Sequence, residues 1–185
     1  ALLLCALLLS LPLAADTSVL PATWQPYAGR IDFNQQKQLQ GLAFPVRSSG
    51  YLQLDNDTLL WHTQTPIDQQ VLISGAGVSQ LQQGEMQLIA GTEIIGQLML
   101  AVLQQNQPFL QEYFRFTPPD NTCQLLTPVK APVDQFFSQI ELCGDTQLQQ
   151  IRLLEKTGNQ TLIELSYPAE NAVPADTNTT TEPRQ

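Results

Sequence analysis

The chain has 185 residues and a formal net charge of −9 at pH 7, with eight Lys and Arg residues against 17 Asp and Glu residues. The basic residues are scattered along the sequence, which excludes a basic stretch able to follow a nucleic-acid backbone. The net charge also opposes steady binding to anionic lipid headgroups. The length predicts one domain with a full hydrophobic core.

Residues 1–15 are predicted to be an export signal that lacks its basic n-region. They are almost wholly apolar and end in Leu13-Ala14-Ala15 before the polar Asp16, as at a signal cleavage site. A transmembrane anchor is the alternative, but the run is short for a hydrocarbon layer ~30 Å thick. Residues 16–167 are predicted to form the domain. Residues 168–185 have no apolar period and are predicted to be a disordered tail.

The first half of the domain is predicted to be an antiparallel meander. Apolar and polar residues alternate in 29–42, with Ile31 and Phe33 facing inward. Further strands are predicted within 42–54, 58–63 and 67–77, and a weaker one within 85–91. Every connection is too short for a crossover helix, so neighbouring strands must run antiparallel.

One hairpin in this meander has an apolar face. A polar turn at 55–58 places Leu54 opposite Leu59 and Leu52 opposite Trp61, all on one side of the sheet. Trp61 either fills a core or lines a pocket that receives an apolar ligand. These residues alone leave both interpretations open.

A helix is predicted between Thr92 and Asn106. Thr92 is the expected N-cap, and Ile94, Leu98 and Val102 recur at a spacing of four residues. Asn106 and the following Pro108 are expected to end the helix. The wide apolar stripe indicates a helix that covers a sheet.

Strands resume in the second half, where two cysteines remain after export. Residues 122–129 and 136–143 can pair antiparallel in a register that places Cys123 opposite Cys143, which predicts a disulfide. A redox-active pair is the alternative, although such pairs are closely spaced.

A final hairpin is predicted within 147–168, with a three-residue loop at 157–159. This loop sets Ile151 opposite Leu165 and Leu153 opposite Ile163, all on one face.

Little in the sequence indicates catalysis. The single histidine, His62, has no partner that the sequence identifies, and no metal-binding, P-loop or nucleophile-elbow motif is present. We therefore expect no enzyme, no metal and no cofactor. Two carboxylates that meet only in the folded chain are the remaining route to an enzyme.

The order of several short motifs resembles the LolA-like family of periplasmic outer-membrane lipoprotein carriers. These motifs span about Gly29–Tyr167 and include Phe33-Asn34-Gln35, Ser49-Gly50-Tyr51-Leu52, Leu59-Leu60-Trp61, Pro66, Val71-Leu72-Ile73-Ser74 and Leu125-Leu126-Thr127-Pro128. The resemblance implies a mainly β fold with helices (α+β). A curved antiparallel sheet would form an unclosed half β-barrel covered by a helical lid.

The resemblance also implies a function. The half barrel would bind the acyl chains of lipoproteins or related lipids and carry them, as a monomer, from an inner-membrane donor complex to an outer-membrane acceptor, without stable membrane insertion. A periplasmic lipid-responsive sensor or protein-interaction scaffold on the same fold is the alternative. The implied cavity residues are Phe33, Leu52, Leu54, Leu59, Trp61, Val71, Ile73, Ile94, Leu98, Val102, Phe116, Ile151, Leu153, Ile163 and Leu165.

Two departures predict a divergent family member. The family usually carries an Arg-Pro between the Leu52 strand and the tryptophan, and its arginine bonds to the lid. Here Asp55-Asn56-Asp57-Thr58 stand in that place. The helix before the first strand is also short, because Pro21 and Pro26 interrupt it. We therefore expect a different opening switch.

Overall fold

The computed structural model describes residues 24–120 and 122–169, with the side chains of 118–120 left out. The predicted export signal at 1–15 lies outside the described residues, as does the predicted tail from 170 onward. Residues 168 and 169 follow the last strand without regular structure.

Eleven strands form one sheet in which all neighbours are antiparallel, in the order β6-β5-β4-β3-β2-β1-β11-β10-β9-β8-β7. The two outer strands, β6 and β7, do not pair with each other, so the sheet is an unclosed half barrel, as predicted. The strands are β1 Gly29–Gln38, β2 Val46–Asp55, β3 Thr58–Thr65, β4 Gln69–Ser74, β5 Gly77–Gln82, β6 Glu85–Leu88, β7 Phe114–Asp120, β8 Cys123–Pro128, β9 Phe137–Cys143, β10 Gln150–Glu155 and β11 Gln160–Ser166.

Within residues 24–120 and 122–169, three helices accompany the sheet: α1 Glu93–Leu103, α2 Gln107–Tyr113 and α3 Val133–Phe136. Thr92 is the N-cap residue of α1, as predicted, but its side chain makes no capping hydrogen bond. Its hydroxyl instead accepts a hydrogen bond from the Val78 N–H at 2.8 Å and donates one to the Ile89 carbonyl at 2.6 Å. Among the described residues no helix is both long and apolar enough to cross a bilayer.

One face of the sheet is mainly apolar from β5 across to β7, and we call it the concave face. Leu59 of β3 and Leu126 of β8 lie on opposite halves of the sheet, yet both are fully buried in the same core. The sheet must therefore curve around one interior, which α1 and α2 cover by packing against β4, β5 and β7.

Because neighbouring strands run in opposite directions, successive connections lie at alternate ends of the half barrel. The two ends therefore carry different connections. The helix end carries the β2–β3 and β4–β5 turns and the β9–β10 loop. There Gln97 and Gln104 on α1 donate hydrogen bonds to the Gly75 and Asn56 carbonyls. The opposite end, which we call the rim, carries the β1–β2, β3–β4, β5–β6, β8–β9 and β10–β11 connections.

The hairpin that contains Trp61 has the predicted register. Leu54 pairs with Leu59 and Leu52 with Trp61. The central turn is shorter than expected, since Asp55 and Thr58 are themselves paired.

The predicted register of the last hairpin is wrong by two residues. Ile151 pairs with Ile163, and Leu153 with Thr161. The loop is 156–158, one residue earlier than predicted, because Gly158 has φ +84° and ends the turn in the left-handed conformation. A slip of two residues leaves every side chain on its predicted face.

Cys123 pairs directly with Cys143 across β8 and β9, and the two form a disulfide. Replacing both with alanine is expected to lower the free energy of unfolding by about 3 kcal/mol, because the bond closes a loop over a sequence separation of 20 residues. Urea unfolding of the variant and of the oxidised and reduced parent chain measures this. An equal midpoint for the variant and the oxidised parent would contradict it.

Tyr167 gives the fold a pH dependence at alkaline pH. Its hydroxyl donates to the Leu148 carbonyl at 2.6 Å, and its ring meets Tyr27 edge-on at 5.1 Å. Burial, with a smaller contribution from Tyr27, raises the pKa of Tyr167 to about 12. The unfolded chain ionises near pH 10. This stabilisation is therefore complete below about pH 10 and is lost as the pH rises towards 12.

We expect the parent chain to lose unfolding free energy more steeply between about pH 10 and 12 than Tyr167→Phe does. Denaturant unfolding at several pH values, with the disulfide intact, measures the slope. Tyr51→Phe on the outer face is the control and keeps the parent slope. Parallel curves for Tyr167→Phe and the parent would refute the assignment.

Candidate functional site

The fifteen predicted cavity residues all belong to one apolar surface. Ten lie in the buried core, and the other five pack against it. The apolar surface is continuous across neighbouring strands. Leu59 of β3 pairs with Ile73 of β4, and Phe33 of β1 pairs with Leu165 of β11. Ile94, Leu98 and Val102 face it from α1. The structure thus brings the predicted set together on the concave face and beneath its cover.

The concave face is covered in this structure. The ten core members of the set are at most 6% exposed: Phe33, Leu52, Leu54, Leu59, Ile73, Leu98, Val102, Ile151, Ile163 and Leu165. The five partly exposed members are Trp61, Val71, Ile94, Phe116 and Leu153. A guest chain therefore reaches most of this surface only if the covering helices move.

Along β3 and β4, burial on the concave face decreases from the helix end towards the rim. Along β3, Leu59 is fully buried, Trp61 is half-buried, and the next inward residue is the polar Thr63. Along β4, Ile73 is buried, Val71 is half-buried and Gln69 is exposed. On these two strands the accessible part of the apolar surface is therefore on the rim side, with Trp61 at its margin and a tilted contact to Phe33 at 5.0 Å between ring centroids.

Polar side chains border the apolar surface near the rim. Lys37 of β1 and Glu155 of β10 form an ion pair at 2.8 Å. Burial raises the pKa of the Glu155 carboxyl, but hydrogen bonds from Lys37, Asn159 and Thr157 outweigh burial and hold it below its ordinary value. A charged, hydrogen-bonded border suits the polar part of a ligand whose apolar part lies deeper.

Gly96 lets α1 lie directly on the sheet. A Cβ at this position would come within 2.3 Å of the Ser74 carbonyl oxygen and 3.0 Å of the Gly77 Cα. No side chain fits there without lifting the helix. Gly50, in the Ser49-Gly50-Tyr51-Leu52 motif of the resemblance, is equally constrained, because its Cβ would meet the His62 carbonyl oxygen at 1.9 Å beside a β-bulge.

The contact between the lid helix and the β2–β3 turn uses different groups from those the resemblance implies. Asn56 stands in the turn where the family usually carries Arg-Pro, and its carbonyl accepts a hydrogen bond from Gln104 at the C-terminal end of α1. At the other end of the helix Gln97 donates to the Gly75 carbonyl at 3.3 Å. Both bonds are exposed, so few polar contacts hold α1 to the sheet turns.

Sequence analysis missed helix α2, which completes the cover. Its Leu110 is fully buried, and Phe109 stacks on Tyr113 with ring centroids 4.6 Å apart. Asn106 caps this helix, accepting a hydrogen bond from the Phe109 N–H at 3.2 Å, and Pro108 lies in its first turn. The Asn-x-Pro spacing also signals the start of a new helix, whereas the sequence prediction uses it only as the end of α1.

His62 has two partners on the outer face, contrary to expectation. Its ring nitrogens lie 3.0 Å from the Tyr51 hydroxyl and 3.0 Å from Asp68. Among the described residues one group has metal-ligand spacing, Cys123 with Glu141 and Cys143. Its two sulfurs are joined in the disulfide.

Comparisons with known proteins give one family match and two similar solved structures. The family model described as outer membrane lipoprotein carrier protein LolA matches residues 28–179. No match is found among curated proteins. A crystal structure of a LolA superfamily protein from Nitrosomonas europaea is 9% identical, with a TM-score of 0.45, over 85% of this chain and 90% of that one. A putative outer membrane lipoprotein-sorting protein domain from Vibrio parahaemolyticus is 10% identical, with a TM-score of 0.31, over 79% and 86%.

Proposed function

Because this chain belongs to the LolA family of outer membrane lipoprotein carriers, we propose that it is a periplasmic carrier, or chaperone, for acyl chains. It takes up the acyl chains of lipoproteins or related lipids on the concave face and transfers them towards the outer membrane. The observation that carries the proposal is the continuous apolar face, which short helices and few polar bonds cover within the described part of the chain.

The proposal includes export by residues 1–15, a monomeric carrier, an inner-membrane donor complex and an outer-membrane acceptor. It includes no catalytic step and no cofactor. Membership in a family of outer membrane lipoprotein carriers supports the carrier role at the level of the family.

The energetics of uptake are favourable for a long chain. Each CH₂ removed from water contributes ~0.8 kcal/mol, so about a dozen carbons contribute on the order of 10 kcal/mol. This offsets the contacts that α1 loses when it leaves the sheet. Release then requires a partner that stabilises the open form or receives the chain.

The close packing beneath α1 favours a second candidate, a sensor or scaffold on the same fold that binds a protein partner and holds no lipid. Native mass spectrometry of the protein purified from its own periplasm separates the two. The carrier proposal predicts a copurifying lipid or lipoprotein whose mass includes acyl chains. Protein that carries no lipid but retains a bound protein would overturn it in favour of the second candidate.

A further inference from the structure

Most of the large apolar side chains that remain exposed lie at the rim. Of ten such residues, six lie on or next to the β1–β2, β3–β4 and β8–β9 connections, and two, Leu81 and Met86, flank the β5–β6 connection of the edge hairpin. The first six are Leu42, Phe44, Val46, Ile67, Val129 and Phe136, and we call them the rim patch. Phe44 is 82% exposed and Ile67 is 73% exposed. The other two, Leu88 and Ile89, lie at the helix end of the edge hairpin.

The sheet places these loops side by side. In the strand order the β3–β4, β1–β2, β10–β11 and β8–β9 connections succeed one another along the rim. Direct contacts join neighbours: the Gln40 N–H donates to Asn159 at 3.0 Å, and the Lys156 N–H donates to the Phe136 carbonyl at 2.8 Å. The rim patch is therefore an arc of loops at one end of the half barrel.

Basic residues accompany the rim patch. Seven of the basic residues are described, and five lie at this end: Lys37, Arg47, Arg115, Lys130 and Lys156. Lys37 pairs with Glu155 and Lys130 with Glu112. No salt bridge within the described part of the chain involves Arg47, Arg115 or Lys156. These three cations alternate with the exposed apolar residues along the arc.

The helix end is acidic, whereas the rim carries as many acidic residues as basic ones: Asp68, Glu85, Glu112, Asp134 and Glu155. Asp55 and Asp57 border the β2–β3 turn, Glu93 begins α1 and Asp145 lies in the β9–β10 loop. A chain with a net charge of −9 thus approaches an anionic surface with least repulsion when the rim faces it. The net charge of the whole chain does not show this difference between its two ends.

We propose that the rim patch docks reversibly on the surface of an anionic bilayer. Exposed aliphatic and aromatic side chains enter the headgroup boundary, and Arg47, Arg115 and Lys156 face the lipid phosphates. The less buried margin of the concave face near Trp61 is on this side, so docking brings the proposed acyl site towards the membrane. Docking depends on the residues of the rim, so it can be tested without measuring acyl uptake.

Flotation with protein-free vesicles of phosphatidylethanolamine and phosphatidylglycerol tests the proposal on the full chain. The parent protein floats with these vesicles and binds less to phosphatidylcholine vesicles. Replacing Leu42, Phe44 and Ile67 with serine reduces binding about tenfold or more, since three inserted apolar groups are lost. The matched control replaces Leu88 and Ile89, at the helix end of the edge hairpin, with serine and keeps parental binding.

A second measurement does not depend on the strength of binding. Tryptophan emission from Phe44→Trp is quenched by brominated acyl chains in the same vesicles, whereas that from Asp57→Trp, at the helix end, changes no more than the parent's emission. The proposal is overturned if the parent protein does not bind anionic vesicles. It is also overturned if the edge-hairpin variant loses as much binding as the rim variant.

Two other occupants of the rim patch give distinct results. Binding to native membranes but not to protein-free vesicles would mean a protein partner and overturn the lipid proposal. A dimer by sedimentation that the rim substitutions abolish, without vesicle binding, would mean a second copy of the chain and also overturn it. Acyl uptake that persists in the rim variant leaves the carrier function standing in either case.

Discussion

Trp61→Asp is expected to weaken the binding of a diacylated cysteinyl peptide by about a hundredfold or more. The indole lies at the margin of the concave face, half-buried against Phe33. Its loss removes apolar contact area, and a carboxylate in its place must be desolvated when the acyl chain enters. A loss of ~2.7 kcal/mol corresponds to a hundredfold change in affinity.

Leu60→Asp is the matched control for this prediction. Leu60 precedes Trp61 on β3, is also half-buried, and points to the outer face because side chains alternate along a strand. It introduces the same charge with a comparable cost to the fold, and we expect it to retain parental affinity. Fluorescence titration of the acyl peptide, with urea unfolding of both variants, measures the difference. Equal affinities for the two variants would count against an acyl site on the concave face.

The side-chain faces of the sheet were predictable from the sequence because the period of a strand is two. Leu52 and Leu54 lie on the apolar face whatever the length of the following turn, provided that the pairing register of the two strands shifts by an even number of residues. For the same reason the pattern could not detect the error at Ile151, whose true partner also faces inward. That register depends on Gly158, whose positive φ is a property of the folded turn.

The cover of the site was only partly predictable. The spacing of Ile94, Leu98 and Val102 identified α1, but it did not show that Leu98 is 3% exposed in the core. Burial of a lid residue depends on how closely the helix approaches the sheet, and Gly96 sets that distance through tertiary contacts. The rim patch was not predicted because Phe44 and Ile67 lie in separate loops that only the strand order brings to one end.

The second large effect, a loss of acyl-peptide binding, is expected when the lid helix α1 is cross-linked to the sheet. Gly75 and Gln97 suit this purpose, since the Gln97 amide already reaches the Gly75 carbonyl at 3.3 Å and a Cβ at Gly75 has no heavy atom within 4 Å. Asn56 and Gln104 are less suitable, because Asn56 has φ +35° and other residues are strained in that conformation. Both native cysteines in the described region are held in the disulfide, so thiols introduced at 75 and 97 can be joined by a short bis-maleimide.

Acyl-peptide uptake by the cross-linked Gly75→Cys, Gln97→Cys protein is the most direct test of whether the guest binds beneath α1. The control is the same double variant with each thiol capped by a single maleimide. We predict that the capped protein binds the acyl peptide with parental affinity and that the cross-linked protein does not bind it detectably, because its helix cannot leave the sheet. Equal binding by the cross-linked and capped proteins would contradict an acyl site that opens by movement of this helix.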